Sequence, residues 1–207
     1  MEFDILMRAP ATLALIVTNV VVSVAGFSNV RVIDAMLFDI GRIRRNNEWH
    51  RMILSGFIHG DGFHLLLNMY ALYIFGPYLE LQVGTWSFLG FYLACLLAGS
   101  LWTFMDHYRN TNYRALGASG AVSGVTSAIA LFAPLSTIYA FFVLPMPLIL
   151  FACLYIAFSA WASRNVRDGV GHSAHLGGAL MGVALVCIFW PDAVRFAWDQ
   201  VTAAFPH

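Results

Sequence analysis

The chain has 207 residues, 60% of them hydrophobic and only 11% charged, with a formal net charge of zero. A soluble domain is about half apolar and a quarter charged, so the excess apolar content points to lipid as the solvent for much of the surface. All eleven basic residues are arginine, none of them gathered on a face that would hold a polyanion, and no nucleic-acid partner is expected.

Met1 to Arg8 carries Glu2 and Asp4. A cleavable signal peptide wants a basic start and a small-residue cleavage site, so the first apolar run reads as a retained helix. Six apolar stretches follow one another at roughly 10–27, 64–82, 86–105, 117–133, 138–161 and 172–190. Each is near the ~20 residues that cross about 30 Å of hydrocarbon. The fourth is short, bounded by the polar run Asp106–Arg114 and by Pro134; Pro145 and Pro147 interrupt the fifth, where a kink is expected. Between the first two stretches, residues 28–63 mix five arginines with Trp49, Phe57 and Ile58, as an interfacial structured loop would. The tail 191–207, with Phe196, Trp198 and Phe205, suits a segment lying flat at the interface. Trp86, Trp102, Trp161 and Trp190 read as an aromatic belt. Cys95, Cys153 and Cys187 all lie in apolar runs and read as small buried hydrophobes, with no disulfide or metal set. The expected fold is all-α: a single membrane domain over 1–207, six transmembrane helices, and a structured loop between the first two.

In such a serpentine the second, fourth and sixth helices enter the membrane from one side. Polar residues near their starts must share a face and a depth. The second opens with His59-Gly-Asp-Gly-Phe-His64-Leu-Leu-Leu-Asn68, the fourth with Gly117-Ala118-Ser119-Gly120-Ala-Val-Ser123-Gly124, and the sixth with His172-Ser-Ala-His175-Leu-Gly-Gly178-Ala-Leu-Met-Gly182. His64 and Asn68, about 6 Å apart along the axis, share one helical face. Ionisable residues inside a membrane are costly and mark function. A serine hydroxyl needs an adjacent base, and a neutral imidazole such as His175 is the usual one. A tetrahedral intermediate needs aimed donors, which Asn68, His64 and the first-turn amides around Ser119 could supply. Gly117, Gly120, Gly178 and Gly182 permit close approach of the fourth and sixth helices.

Each feature has a plainer meaning when taken alone. A serine in a membrane helix is usually packing glue, and GxxxG is common helix-packing grammar. His59 and His172 could serve only to shape a cavity. The four histidines could bind a metal, yet no HExxH string occurs, and neither metal nor cofactor is expected. A transporter would use a polar path at the midplane, whereas the charges here cluster toward one side.

Taken together, the motifs resemble the rhomboid family of intramembrane serine proteases. Gly-Ala-Ser119-Gly resembles its GxSG motif, and Ala174-His175-x-x-Gly178-x-x-x-Gly182 its AHxxGxxxG helix. His59-x4-His64-x3-Asn68 resembles its second-helix motif, Phe75-Gly76 with Leu79-Glu80 its FGxxLE stretch, and Arg51 the basic residue of its first-loop WR motif. The resemblance implies Ser119 as nucleophile, His175 as base, His64 and Asn68 as oxyanion residues, and Arg51 and Glu80 as structural residues near the site. It implies cleavage of transmembrane segments that unwind easily, a multi-pass location in the bilayer, and a bacterial inner membrane. The alternative is an inactive rhomboid-like protein that binds client transmembrane helices. Two positions depart from the pattern. His50 precedes Arg51 where the family often has Trp, and Ser123 stands where some relatives place an aromatic residue against the imidazole, so what orients His175 is open. No acid lies in the fourth or sixth helix near the pair, so a dyad is expected; Asp61, Asp106 and Asp168 are left unassigned. The resemblance places the site on the extracytoplasmic face. The arginines vote the other way, since all but Arg8 and Arg195 lie in loops on the site's side.

Overall fold

The computed structural model describes residues 2–140, 143–166 and 169–204. Arg167, Asp168 and Phe205 lie outside them. The described elements are, in chain order, α1 (Glu2–Met7), α2 (Pro10–Ser28), α3 (Val30–Met36), β1 (Phe38–Asp39), α4 (Ile40–Asn46), α5 (Arg51–Leu54), a single 3-10 turn (Ser55–Phe57), α6 (Gly62–Val83), α7 (Thr85–Asp106), β2 (Arg114–Ala115), α8 (Ser119–Phe132), β3 (Thr137–Ala140), β4 (Leu144–Pro147), α9 (Leu148–Asn165), α10 (His172–Phe189) and α11 (Pro191–Ala204).

Every apolar stretch read from the sequence holds a helix. Among the described residues four of them, α2, α7, α9 and α10, are long and apolar enough to cross a membrane. The chain is therefore a multi-pass helical membrane protein. The boundaries have local causes. Pro10 stands in the first turn of α2, where its missing N–H is not needed. The Asp61 side chain caps α6, and Gly84, at φ +86°, ends α6 and starts α7. The kink expected in the fifth stretch is not what forms. Two prolines two residues apart remove helical donors at 145 and 147, and the segment instead pairs as an antiparallel ladder from Thr137↔Pro147 to Ala140↔Leu144. The helix begins only at Leu148, with Pro147 extended at φ −60°, ψ 140°.

Helix α8 lies at the centre: residues 120–130 are all buried, although the helix is only 14 residues long. Helix α10 packs along both α7 and α8. The main core joins Leu15, Leu72, Phe88, Tyr92, Val125 and Val186 across five helices. The loop after α2 has a small core of its own, Phe38, Ile40, Ile43 and Met52 against Phe104 and Tyr113. Arg51 is the centre of that loop: buried, it donates from Nε to Glu48 at 2.5 Å and from Nη1 to the carbonyls of Asp34 (2.8 Å) and Leu37 (2.9 Å). Arg42 pairs with Asp34 at 2.8 Å and Arg114 with Asp39 at 3.0 Å, so these loop arginines belong to a folded unit.

Trp86, Trp102 and Trp161 are exposed near helix ends, as a belt requires, and Trp190 packs partly against the core. In α11 Phe196 and Trp198 are exposed while Ala193 and Ala197 face the bundle. Only Cys95 of the three cysteines is buried; Cys153 and Cys187 are exposed, on the outer sides of α9 and α10, where lipid and not a protein core accepts a small apolar side chain.

Glu80 is the strongest polar tie between membrane helices. Its carboxylate, 1% exposed, accepts from the amides of Ala11 (3.0 Å) and Thr12 (2.8 Å) and from the Thr12 hydroxyl (2.8 Å). These donors form the first turn of α2, where a negative charge is favoured. Glu80→Ala removes both acceptor oxygens and with them all three hydrogen bonds, and should cost about 3 kcal/mol. Glu80→Gln, which keeps one oxygen, should cost less. Thermal melting in detergent checks this; an unchanged melting temperature for Glu80→Ala would contradict the role.

Candidate active site

Three helix starts converge. At α6, Asp61 Oδ1 accepts from the His64 amide at 2.8 Å, which fixes the first turn and turns His64 inward. Asn68 lies one turn on, buried, and its Nδ2 donates to the His64 carbonyl at 3.0 Å, a bond that uses one of its two amide hydrogens. At α10, the Ser173 hydroxyl donates to Asp106 at the end of α7, and His175 follows within the first turn.

The start of α8 is held most tightly. The Gly117 amide donates to the Ser55 carbonyl at 2.8 Å. Gly117 has φ +117°, and a Cβ there would lie 2.5 Å from His64 Cε1, so both the turn and the imidazole require glycine. The next amide, Ala118, donates to His59 Nε2 at 3.3 Å. Because Nε2 accepts, the proton of the neutral ring is on Nδ1, which stands 3.0 Å from Ser23 Oγ of α2 and donates to it. His59 is thus a strut between α2 and the residue before Ser119. Beneath the start, a side chain on Gly178 would run into the Gly120 carbonyl, and one on Gly182 into that of Gly124.

The result is a cavity of about 810 Å³. Ser119, His175, His64, Asn68, Gly117 and Gly120 all line it. Gly178 and Gly182 lie outside, in the seam between α8 and α10. Arg51 and Glu80 do not line it, and for Glu80 this corrects the expectation that it is near the site. Arg51 organises the loop, and Glu80 is roughly 24 Å further along α6 than His64, at the opposite end of the bundle. Ser119 opens α8, so the first-turn amides lack partners in the helix and the positive end of its dipole faces the cavity.

Two groups escaped the sequence reading. Tyr155 of α9 lines the cavity and lies against the His175 ring, centroids 5.9 Å apart. Ser23 is the partner of His59. Neither carries a spacing signal, because each reaches the site from another helix. His59 and His172 do flank the site: His59 is edge-on to His64 at 5.0 Å, and His172 edge-on to His175 at 5.9 Å.

Comparison with known proteins identifies the family. The family model described as Rhomboid domain matches residues 46–192. RHOMBOID-like protein 12, mitochondrial, of Arabidopsis thaliana is 30% identical over 161 residues, 70% of this chain and 47% of that protein. Rhomboid protein 1, mitochondrial, of Saccharomyces cerevisiae is 36% identical over 143 residues, 64% of this chain and 39% of that protein. Rhomboid protease AarA of Providencia stuartii is 26% identical over 184 residues, 77% of this chain and 63% of that protein. The chain thus spans about half the length of the relatives it matches. Two of these three bear mitochondrial names, and the expected bacterial inner membrane draws no support from them.

The His59 strut has a pH signature. Burial, with the neighbouring His64 adding to it and Asp61 opposing, pushes the imidazole down from 6.5 to about 4. Between these values the unfolded chain binds the proton and the folded one does not, so stability is full above 6.5 and falls as pH drops toward about 4. The wild-type melting temperature should therefore fall over that window more steeply than that of His59→Gln, which has nothing to titrate. Parallel curves would remove His59 from the account.

Proposed function

The chain belongs to the rhomboid family, and from that premise we propose that it is an intramembrane serine endopeptidase that cleaves transmembrane segments of other membrane proteins with a Ser119–His175 dyad. The observation that carries the proposal is the shared cavity: Ser119, His175, His64 and Asn68, from three helices, line one space at one end of the bundle.

In this mechanism Ser119 Oγ attacks the scissile carbonyl while His175 takes its proton. His175 then returns the proton to the leaving amine, and water repeats the sequence on the acyl-enzyme. The oxyanion forms at the start of α8, where first-turn amides, the Asn68 amide and His64 are the donors. A regular substrate helix hides its carbonyl in the backbone ladder. The substrate is therefore a segment that unwinds easily, with Gly, Ala or Ser near the cut. The site faces the extracytoplasmic side, its arginine-rich loop being a folded unit and not a short flexible connection of the kind the charge rule describes.

Purified protein should cleave a model transmembrane substrate with Gly-Ala-Ser at its centre, and a fluorophosphonate should label it. Both activities should vanish in Ser119→Ala and fall sharply in His175→Ala. Asn68→Ala should lower kcat by about 10²-fold with KM little changed. Equal labelling of the wild type and Ser119→Ala would sink the proposal. Capture of the substrate with neither cleavage nor labelling would leave client-helix binding as the function.

A further inference from the structure

The base of a serine hydrolase must be held with its ring plane fixed, and the position one helical turn after Ser119 offers only Ser123 for this. A serine there cannot cover an imidazole. The space is taken from another helix: the Tyr155 ring of α9 lies over His175 at 5.9 Å between centroids, 27° from parallel. Tyr155 also stacks on Phe151, one turn earlier on α9, at 5.9 Å and 17°. Its hydroxyl stands 2.6 Å from Ser123 Oγ, which in turn stands 2.6 Å from the Ser119 carbonyl. Each hydroxyl has one hydrogen. Ser123 donates its own to the Ser119 carbonyl, so Tyr155 donates to Ser123.

We propose that Tyr155 is the positioning residue for His175, its ring setting the plane of the imidazole and its hydroxyl anchored through Ser123 to the backbone of Ser119. A stacked ring restricts rotation of the imidazole without itself hydrogen-bonding to a ring nitrogen. His172 also stands edge-on to the imidazole at 5.9 Å. The small Ser123 is then a requirement and not a gap: a larger residue would fill the space through which the α9 ring reaches, and an apolar one would leave the tyrosine hydroxyl without its acceptor. The same chain of contacts links base and nucleophile through groups of the protein.

This assignment rests on the dyad reading above, and the test separates the two. Cleavage of the model transmembrane substrate is followed from pH 5 to 9 for wild type, Tyr155→Phe, Tyr155→Leu and the double variant Tyr155→Leu/Ser123→Tyr, with melting temperatures measured alongside. Tyr155→Leu should lower kcat about 10-fold at near-constant KM. It should also displace the acid limb of the pH profile, which a uniform loss of folded protein would not do. Tyr155→Phe keeps the stack and should stay within about 3-fold of wild type. The double variant, which brings a ring from α8 instead, should recover activity and the original acid limb. If Tyr155→Leu does not fold, the proposal is read from Tyr155→Phe and the double variant, and an inactive but folded double variant then overturns it. A folded Tyr155→Leu with wild-type kcat and pH profile also overturns it while leaving the dyad intact. An inactive wild type overturns the dyad and this assignment together.

Discussion

A Cβ on Gly178 would fall on the carbonyl of Gly120, and one on Gly182 on the carbonyl of Gly124, so α8 and α10 touch backbone to backbone over two turns. At Gly124, Gly178 and Gly182 an added Cβ would come closer than 3.0 Å to its neighbours, so these three positions require glycine. The approach decides where the first residues of α8 and α10 sit relative to each other, and these are Ser119 and His172–His175. Alpha-carbon surfaces also meet on the third side, where a Cβ on Gly99 of α7 would lie 2.7 Å from the Ala174 carbonyl. With no hydrophobic effect to drive helices together in lipid, such close van der Waals contact is what remains to hold the three at fixed spacing.

Around this seam, the polar groups that do no chemistry carry the alignment. His59 joins α2 to the Ala118 amide, Ser55 joins the first loop to Gly117, and the β1–β2 pair ties Phe38 and Asp39 to Ala115 and Arg114 just before them. Three consecutive links therefore fix residues 114–118 before the helix begins. Asp106 does the same for α10 through Ser173. In an apolar medium an unmade hydrogen bond is expensive, so each link is held more firmly than its counterpart on a water-exposed loop. The cavity is a consequence: it is bounded by helices that are close at the seam and kept apart above it by ring-sized side chains, among them Tyr155 and Phe151.

Much of this was legible in the sequence, for physical reasons. Runs of about 20 apolar residues have few uses other than crossing a bilayer, so the helices at 10–28, 85–106 and 172–189 stand within two residues of their expected places. A serpentine fold also forces alternate helices to start on one side, and that constraint alone groups Ser119, His175, His64 and Asn68 at one face. The failures share a cause. Hydropathy does not distinguish a kinked helix from a ladder of two short strands, and Thr137–Ala140 with Leu144–Pro147 form the second. Spacing along α6 alone puts Glu80 roughly 24 Å from His64, so its distance from the site was legible; its partner, the first turn of α2, was not. Tyr155 could not be found at all, because what selects it is the small size of Ser123 on another helix.

The central claim is that backbone contact at the seam sets the geometry of the proposed site. The most direct measurement is kcat and melting temperature for Gly178→Ala, with Gly90→Ala as the control, since a Cβ at Gly90 meets nothing within 4 Å. One added methyl at Gly178 must push α10 away from the Gly120 carbonyl, and a displacement of about 1 Å costs about 10²-fold in rate. The account predicts that loss of turnover in a protein that still melts cooperatively, with Gly90→Ala unchanged. Wild-type turnover in a folded Gly178→Ala would mean that α8 and α10 do not meet there, and the contact would not be what assembles the site.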